Sequence, residues 1–201
     1  MKTLLVTGFA PFGGEKTNPS YVCASSLPDE LCGVRIEKRE LPVSWEKTET
    51  ELTALLRELR PDAVLLLGQA GGRPNLTIER VAVNIREAAS PDNDGVTENE
   101  GHPVIDGAPD AYFSTLPYRA MLAACKQNGI PTAFSYSAGC YLCNCSMFTA
   151  RHFAAQNGLN MPAGFIHVPY LPEQTDDKPS MGLETLRKGI LLCAEEIAKT
   201  L

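Results

Sequence analysis

Short apolar runs alternate with longer amphipathic stretches along the chain. "KTLLVTG" (2–8) and "AVLLLG" (63–68) are continuous apolar runs, the pattern of strands buried on both faces of a parallel sheet. "VRIEKRELPV" (34–43) alternates with period two, as a half-buried strand does. "LTIERVAVNIRE" (76–87), "PTAFSYS" (131–137) and "GFIHVPY" (164–170) also read as strands. Asn18-Pro19 opens a helix over 18–28. In 48–62, Leu52, Leu55, Leu56 and Leu59 make one helical face, ended by Pro61. Helices are further predicted over 109–129, over 144–158 up to Gly158, and over 180–200 with Ser180 as cap. The alternation predicts one α/β domain over 1–201, a three-layer sandwich with a twisted, mostly parallel sheet flanked by helices.

In such sheets ligands bind beyond the carboxyl ends of the strands. Those ends carry "GFAPFGG", "GQAGGR", "SAGCYLC" and "HVPY". Three are glycine-rich and the fourth holds a histidine, so a site is expected where the four loops converge.

Composition narrows the chemistry. With 201 residues, 44% of them hydrophobic, the chain can bury a substantial core. A net charge of −6 and a pI near 5.1, with no basic stripe, argue against nucleic acid or an anionic membrane as partner. The first apolar run, Leu4 to Val6, is too short for a signal peptide or a membrane span. A cytoplasmic protein with reduced thiols is expected, and seven cysteines cannot all pair.

Three of those cysteines crowd into "CYLCNC" (140–145). Cys140-x-x-Cys143 has zinc-knuckle spacing, but a structural site needs a second pair, so no metal is expected. Cys23, Cys32, Cys125 and Cys193 stand among apolar residues as small core side chains. A redox pair is an alternative, although it usually sits at an early strand-to-helix junction. The third reading is a nucleophile. Cys143 falls where a strand has ended and a helix begins, and a helix N-terminus is expected to lower a thiol's pKa. Cys145 points about 200° around that helix, into packing.

A thiol nucleophile needs a base. His152 lies about 13 Å further along the same helix and on its far side. His102 stands in a polar loop. His167, at the end of an apolar strand, is the candidate. Glu79, in phase with Val81, Val83 and Ile85, puts a carboxylate on an apolar face, where it would orient the imidazole. A salt bridge to a core arginine or a solvent-exposed strand end are its alternatives. "GFAPFGGEKT" fails as a phosphate loop because its lysine is misplaced, and "PDNDGVTENEGH" lacks the acids of a calcium loop. The acidic stretch 90–109 is a solvated connection, or else a lid or subunit contact.

Taken together, "TGFAPFGGEKTNPS", "GQAGGR…TIERVAVN", "PDNDG", "SAGCYLCN" and "GFIHVPYLPEQ" resemble pyroglutamyl peptidase I (pyrrolidone carboxyl peptidase), a cysteine peptidase family. The likeness covers most of the chain in order. It implies removal of N-terminal pyroglutamyl residues from peptides without metal or organic cofactor, through a thioester. By that resemblance Glu79, Cys143 and His167 are the catalytic residues, and the protein is a homotetramer. Phe9 and Phe12 match ring-packing aromatics, and Asn18 and Gln69 match positions that address the lactam polar atoms. Core packing and a helix cap are their structural alternatives. The backbone N–H of Cys143 and the "GQAGGR" loop are the expected oxyanion donors. Two departures stand out. Ala89 replaces an arginine the family often carries, with Arg86 as a nearby substitute, and Cys140 is unusual and able to trap Cys143 as a disulfide. Two other classes remain open at this point: a non-catalytic binding protein on the same scaffold and a Cys140/Cys143 thiol–disulfide oxidoreductase.

Overall fold

A computed structural model describes residues 1–201. In chain order the elements are β1 (Thr3–Phe9), α1 (Pro19–Ser25), β2 (Glu30–Leu31), β3 (Val34–Leu41), α2 (Thr48–Leu59), β4 (Ala63–Gln69), β5 (Leu76–Glu79), β6 (Val81–Val83), β7 (Arg86–Ala88), β8 (Glu98–His102), β9 (Ala111–Phe113), α3 (Tyr118–Gln127), β10 (Thr132–Ser135), α4 (Leu142–Gln156), β11 (Ala163–Val168) and α5 (Leu183–Ala198). Seven strands form the central sheet in the order β10-β5-β11-β4-β1-β3-β2. Four of its six pairings are parallel; β11–β5 and β2–β3 are antiparallel. This is the expected α/β architecture.

Period-two alternation divides the sheet into two apolar faces. Leu4, Val6, Leu65 and Leu67 pack with residues of α1, α3 and α5. Leu5, Val64, Leu66 and Phe165 pack with α2 and α4. Each fully buried leucine contributes about 1.5–3 kcal/mol relative to an exposed one, so both faces are needed to hold the layers. α1 opens as predicted: Asn18 Oδ1 accepts the Ser20 N–H at 3.0 Å and Pro19 follows. α2 stops where Arg60 takes a left-handed φ of 45° ahead of Pro61.

Five expectations need correction. The run 76–87 is not one strand but three: β5 joins the main sheet, while β6 and β7 pair with β9 and β8 in two small ribbons. The segment 109–117 is not helical. Ala111–Phe113 pairs antiparallel with β6, and Pro117 immediately precedes α3. Ser180 does not cap α5; Gly182 occupies that position without a side-chain bond, and Ser180 bridges to Tyr170. Cys32 is exposed at a turn with φ 52°, not in the core. Lastly, β5 and β10 run against β11, so the "SAGCYLC" segment leaves the sheet in the opposite direction from the other three loops.

Asn144 accounts for the way α4 sits over the ribbons. It is buried inside the helix, where its Oδ1 accepts the Val83 N–H and its Nδ2 donates to the carbonyls of Val83 and Ile85, each at 2.9 Å. The amide thereby substitutes for a missing neighbouring strand. No helix is long and apolar enough to cross a membrane.

Candidate active site

β4 and β11 pair in parallel with His167 opposite Gly68, and β5 pairs antiparallel with Thr77 opposite His167. Glu79 shares Thr77's face and lies diagonal to His167, a spacing a long side chain can bridge. Its Oε1 is 2.7 Å from His167 Nδ1. Both residues are buried, Glu79 completely. The same oxygen accepts from Arg73 Nη1 at 2.5 Å, and Oε2 has no partner. Arg73 also donates to Thr77 Oγ1 at 2.6 Å and to the Ser137 carbonyl at 3.1 Å. One guanidinium thus ties the acid of β5 to the loop that leads into α4.

Cys143 is the second residue of α4 and half-buried. Its sulfur packs against Gly68: a Cβ there would stand 2.9 Å from Sγ and 2.6 Å from Phe165 Cζ. Only glycine lets the thiol sit beside the register partner of His167. The Phe165 ring also lies 4.7 Å, centroid to centroid, from that imidazole. As the second helical residue, Cys143 has no intrahelical acceptor for its N–H, and the backbone supplies none elsewhere.

Burial pushes His167 below its ordinary value; Glu79 pulls it up and Arg73 reinforces the fall. Burial also raises Glu79, but His167, by hydrogen bond and charge, together with Arg73 holds its carboxyl below the usual range. For Cys143 the expectation of a lowered pKa is overturned. Burial and the Glu79 carboxylate push the thiol up to about 12, against the opposing pull of Arg73.

Phe9, Phe12, Asn18 and Gln69 line one small cleft, open to solvent, together with Cys143, Val43, Tyr141 and Leu142. The sequence-derived residues therefore meet at one place. A larger hollow of ≈ 1220 Å³ lies at the other end of the sheet, between Arg60 and Asn160, and none of these residues reaches it. Asn18 also holds the fold: besides the Ser20 N–H, its Oδ1 accepts the Ser20 hydroxyl at 2.7 Å, and its Nδ2 donates one N–H to the Ala10 carbonyl at 3.0 Å. The acidic stretch is no mere solvated connection. Asp92 accepts from the N–H groups of Trp45, Asp94 and Val96, Asn93 donates to the Pro11 carbonyl, and Tyr141 donates to the Pro91 carbonyl. Pro91–Asp94 is a strap joining three walls of the cleft.

Other candidates stand apart. His152 bonds the Tyr112 hydroxyl at 3.0 Å, and His102 is exposed beside Glu98 and Glu100. Cys145 is buried in packing, as expected. Arg86 does not substitute for an arginine at Ala89: it faces Glu98, Glu49 and the Trp45 ring. The guanidinium that reaches the site is Arg73, which sequence reasoning did not single out, although it closes the quoted "GQAGGR". No three His, Cys, Asp or Glu side chains are grouped to hold a metal ion.

Known proteins resemble this chain in sequence and fold from end to end. The family model for pyroglutamyl peptidase matches residues 2–200. A pyrrolidone-carboxylate peptidase of Thermococcus onnurineus is 50% identical over 188 residues, 92% of this chain and 94% of that one. The solved pyrrolidone carboxyl peptidase of Thermococcus litoralis superposes with a TM-score of 0.94 at 41% identity, covering 99% of this chain and 94% of the other. Pyroglutamyl peptidase I of Bacillus amyloliquefaciens gives 0.93 at 36% identity, covering 99% and 98%. Matched in sequence and in fold over almost its whole length, the chain belongs to the pyroglutamyl peptidase family.

Proposed function

We propose that the protein is a cysteine peptidase that removes N-terminal pyroglutamyl residues from peptides, with Cys143 as nucleophile, His167 as base and Glu79 as the group that orients it. One observation carries the reading: a buried Glu79–His167 hydrogen bond of 2.7 Å beside a thiol packed on Gly68, at the wall of an apolar cleft. The thiol gives up its proton as the sulfur attacks. His167 Nε2 takes it, Cys143 Sγ bonds the pyroglutamyl carbonyl carbon, and Glu79 balances the imidazolium. The free N–H of Cys143, with donors of the Gln69–Arg73 loop, holds the oxyanion. His167 then protonates the leaving amine. Water, deprotonated by the same imidazole, hydrolyses the thioester, releasing pyroglutamate and the thiol.

Arg73 keeps the site poised by neutralising Glu79 and favouring the neutral imidazole. Phe9 and Phe12 give the ring an apolar slot, which rejects ordinary glutamate because its carboxylate would be desolvated unpaired. The reading includes a cytoplasmic location, supported by an odd number of cysteines, and a homotetramer, supported by exposed Phe113 and Tyr136. Light scattering tests the assembly, and a monomer overturns it.

The deciding experiment is hydrolysis of a pyroglutamyl amide with a chromogenic leaving group, under reducing conditions. Cleavage by wild type and not by Cys143→Ser is expected. A folded, reduced wild type that cleaves nothing overturns the reading in favour of a binding role. Cys140→Ser retains activity in a peptidase and loses it in a thiol–disulfide oxidoreductase.

A further inference from the structure

A relay of amide hydrogen bonds ends at the cleft. The Leu171 N–H donates to Gln174 Oε1 at 2.9 Å. A backbone N–H can only donate, so this contact decides which end of Gln174 is oxygen. Its Nε2 then meets the Thr17 carbonyl at 3.1 Å, Gln69 at 3.0 Å and the Glu15 carboxylate at 3.3 Å. A carbonyl and a carboxylate only accept, so the nitrogen is specified a second time. The Gln69 atom facing it must therefore be Oε1, and Gln69 Nε2 is the end left over. That nitrogen makes no hydrogen bond within the protein, and Gln69, only 9% exposed, lines the cleft beside Cys143. The cleft is where a bound ligand would supply its acceptor. The other amide of the cleft, Asn18, has donor and acceptor both engaged by Ala10 and Ser20.

We propose that Gln174 is a positioning residue for specificity: it locks the Gln69 amide so that the slot presents a donor, selecting acyl groups whose ring carries a carbonyl acceptor. The assignment rests on the peptidase reading above. It makes the slot selective by polarity as well as by shape, through a residue outside the cleft wall. A substrate ring without the carbonyl leaves the Gln69 donor unpaired and gains nothing from Gln174.

A double-mutant cycle tests it, using Gln174→Met, Gln69→Ala and the double variant. Two chromogenic amides are compared: pyroglutamyl, and cyclopentanecarbonyl, which keeps the ring but lacks its carbonyl and N–H. Gln174→Met is expected to raise KM for the pyroglutamyl amide roughly tenfold with kcat nearly unchanged, the size of one lost hydrogen bond made equally in ground and transition states. In the Gln69→Ala background it should add nothing. The cyclopentanecarbonyl amide should show the same low kcat/KM with wild type and with Gln174→Met. Should Gln174→Met fold poorly, Gln174→Glu replaces it; this keeps an acceptor for Leu171 and removes the donor, so the same pattern is expected. Losses that multiply in the double variant, or that are equal for both amides, overturn the assignment and leave Gln174 as a brace for Glu15–Thr17. A wild type that cleaves neither amide overturns the peptidase reading and this assignment with it.

Discussion

The two faces of the central sheet follow different rules. On the side of α1, α3 and α5, β4, β5 and β11 present Leu65, Leu67, Leu76, Ile78, Ile166 and Val168, an unbroken apolar layer. On the side of α2 and α4 the same strands begin alike, with Val64, Leu66 and Phe165, and then present Gly68, Thr77, Glu79 and His167. One face is built to be filled, the other to hold a charge pair and a thiol at close quarters. The buried acid is held by groups from other elements: Glu79 of β5 bonds His167 of β11 and Arg73 of the β4–β5 loop, which also reaches the Ser137 carbonyl. Substitutions on the two faces should therefore separate stability from activity.

The largest effect is expected from Cys143→Ser or His167→Ala, each lowering kcat/KM by at least ~10³-fold. Cys143→Ser should leave the thermal midpoint nearly unmoved, whereas His167→Ala should also lower it by stripping buried Glu79 of its imidazole partner. Gly68→Ala comes next. The added methyl meets Sγ and the Phe165 ring, so a drop of about 10²-fold in kcat/KM from a displaced thiol should accompany about 1–3 kcal/mol of lost stability, read by denaturant melts. An unaffected Gly68→Ala enzyme would sink the packing argument.

Arg73→Gln should cost about tenfold in turnover, the scale of a lost charge-assisted hydrogen bond. It also carries a sign. Arg73 lowers the pKa of His167, so its removal should move the acid limb of the pH–rate profile upward. In wild type that limb should lie below pH 6.5, because burial depresses the imidazole from its ordinary 6.5 and the neutral base survives into more acid solution. An acid limb above 6.5 would contradict the buried environment of His167. On the other face, Ile190→Val in α5 should cost only about 0.5–1.5 kcal/mol and leave kcat of the folded enzyme untouched. A changed kcat there would show that the two faces are coupled.

Much of this was readable from the chain because the long elements carry strong local signals. The apolar runs of β1, β4 and β11, the leucine stripe of α2 and the Asn18-Pro19 start of α1 each specify themselves. The failures are non-local. Strand direction is set by pairing, so nothing in "PTAFSYS" says that β10 runs against β11. Strands of three residues, β6, β7 and β9, are too short for a period to declare itself. Glu79 was found for an incomplete reason. Its presumed phase with Val81 and Ile85 is broken where β5 ends, and Ile85 is 40% exposed. The acid is buried because β5 pairs with β11, not because of its downstream neighbours. Arg73 and Gln174 were missed because one acts from a loop and the other from the short 3-10 turn Pro172–Gln174, where spacing encodes no geometry.

The neutral thiol has a meaning beyond the catalytic step. Peroxides and soft electrophiles react with thiolates, and a Cys143 held near a pKa of about 12 offers almost none of that species in bulk solution. Its neighbour Cys140 is also raised by burial. The sulfur is thus unmasked only when a carbonyl arrives alongside the imidazole, so chance reagents find an unreactive group where the right acyl donor finds a nucleophile.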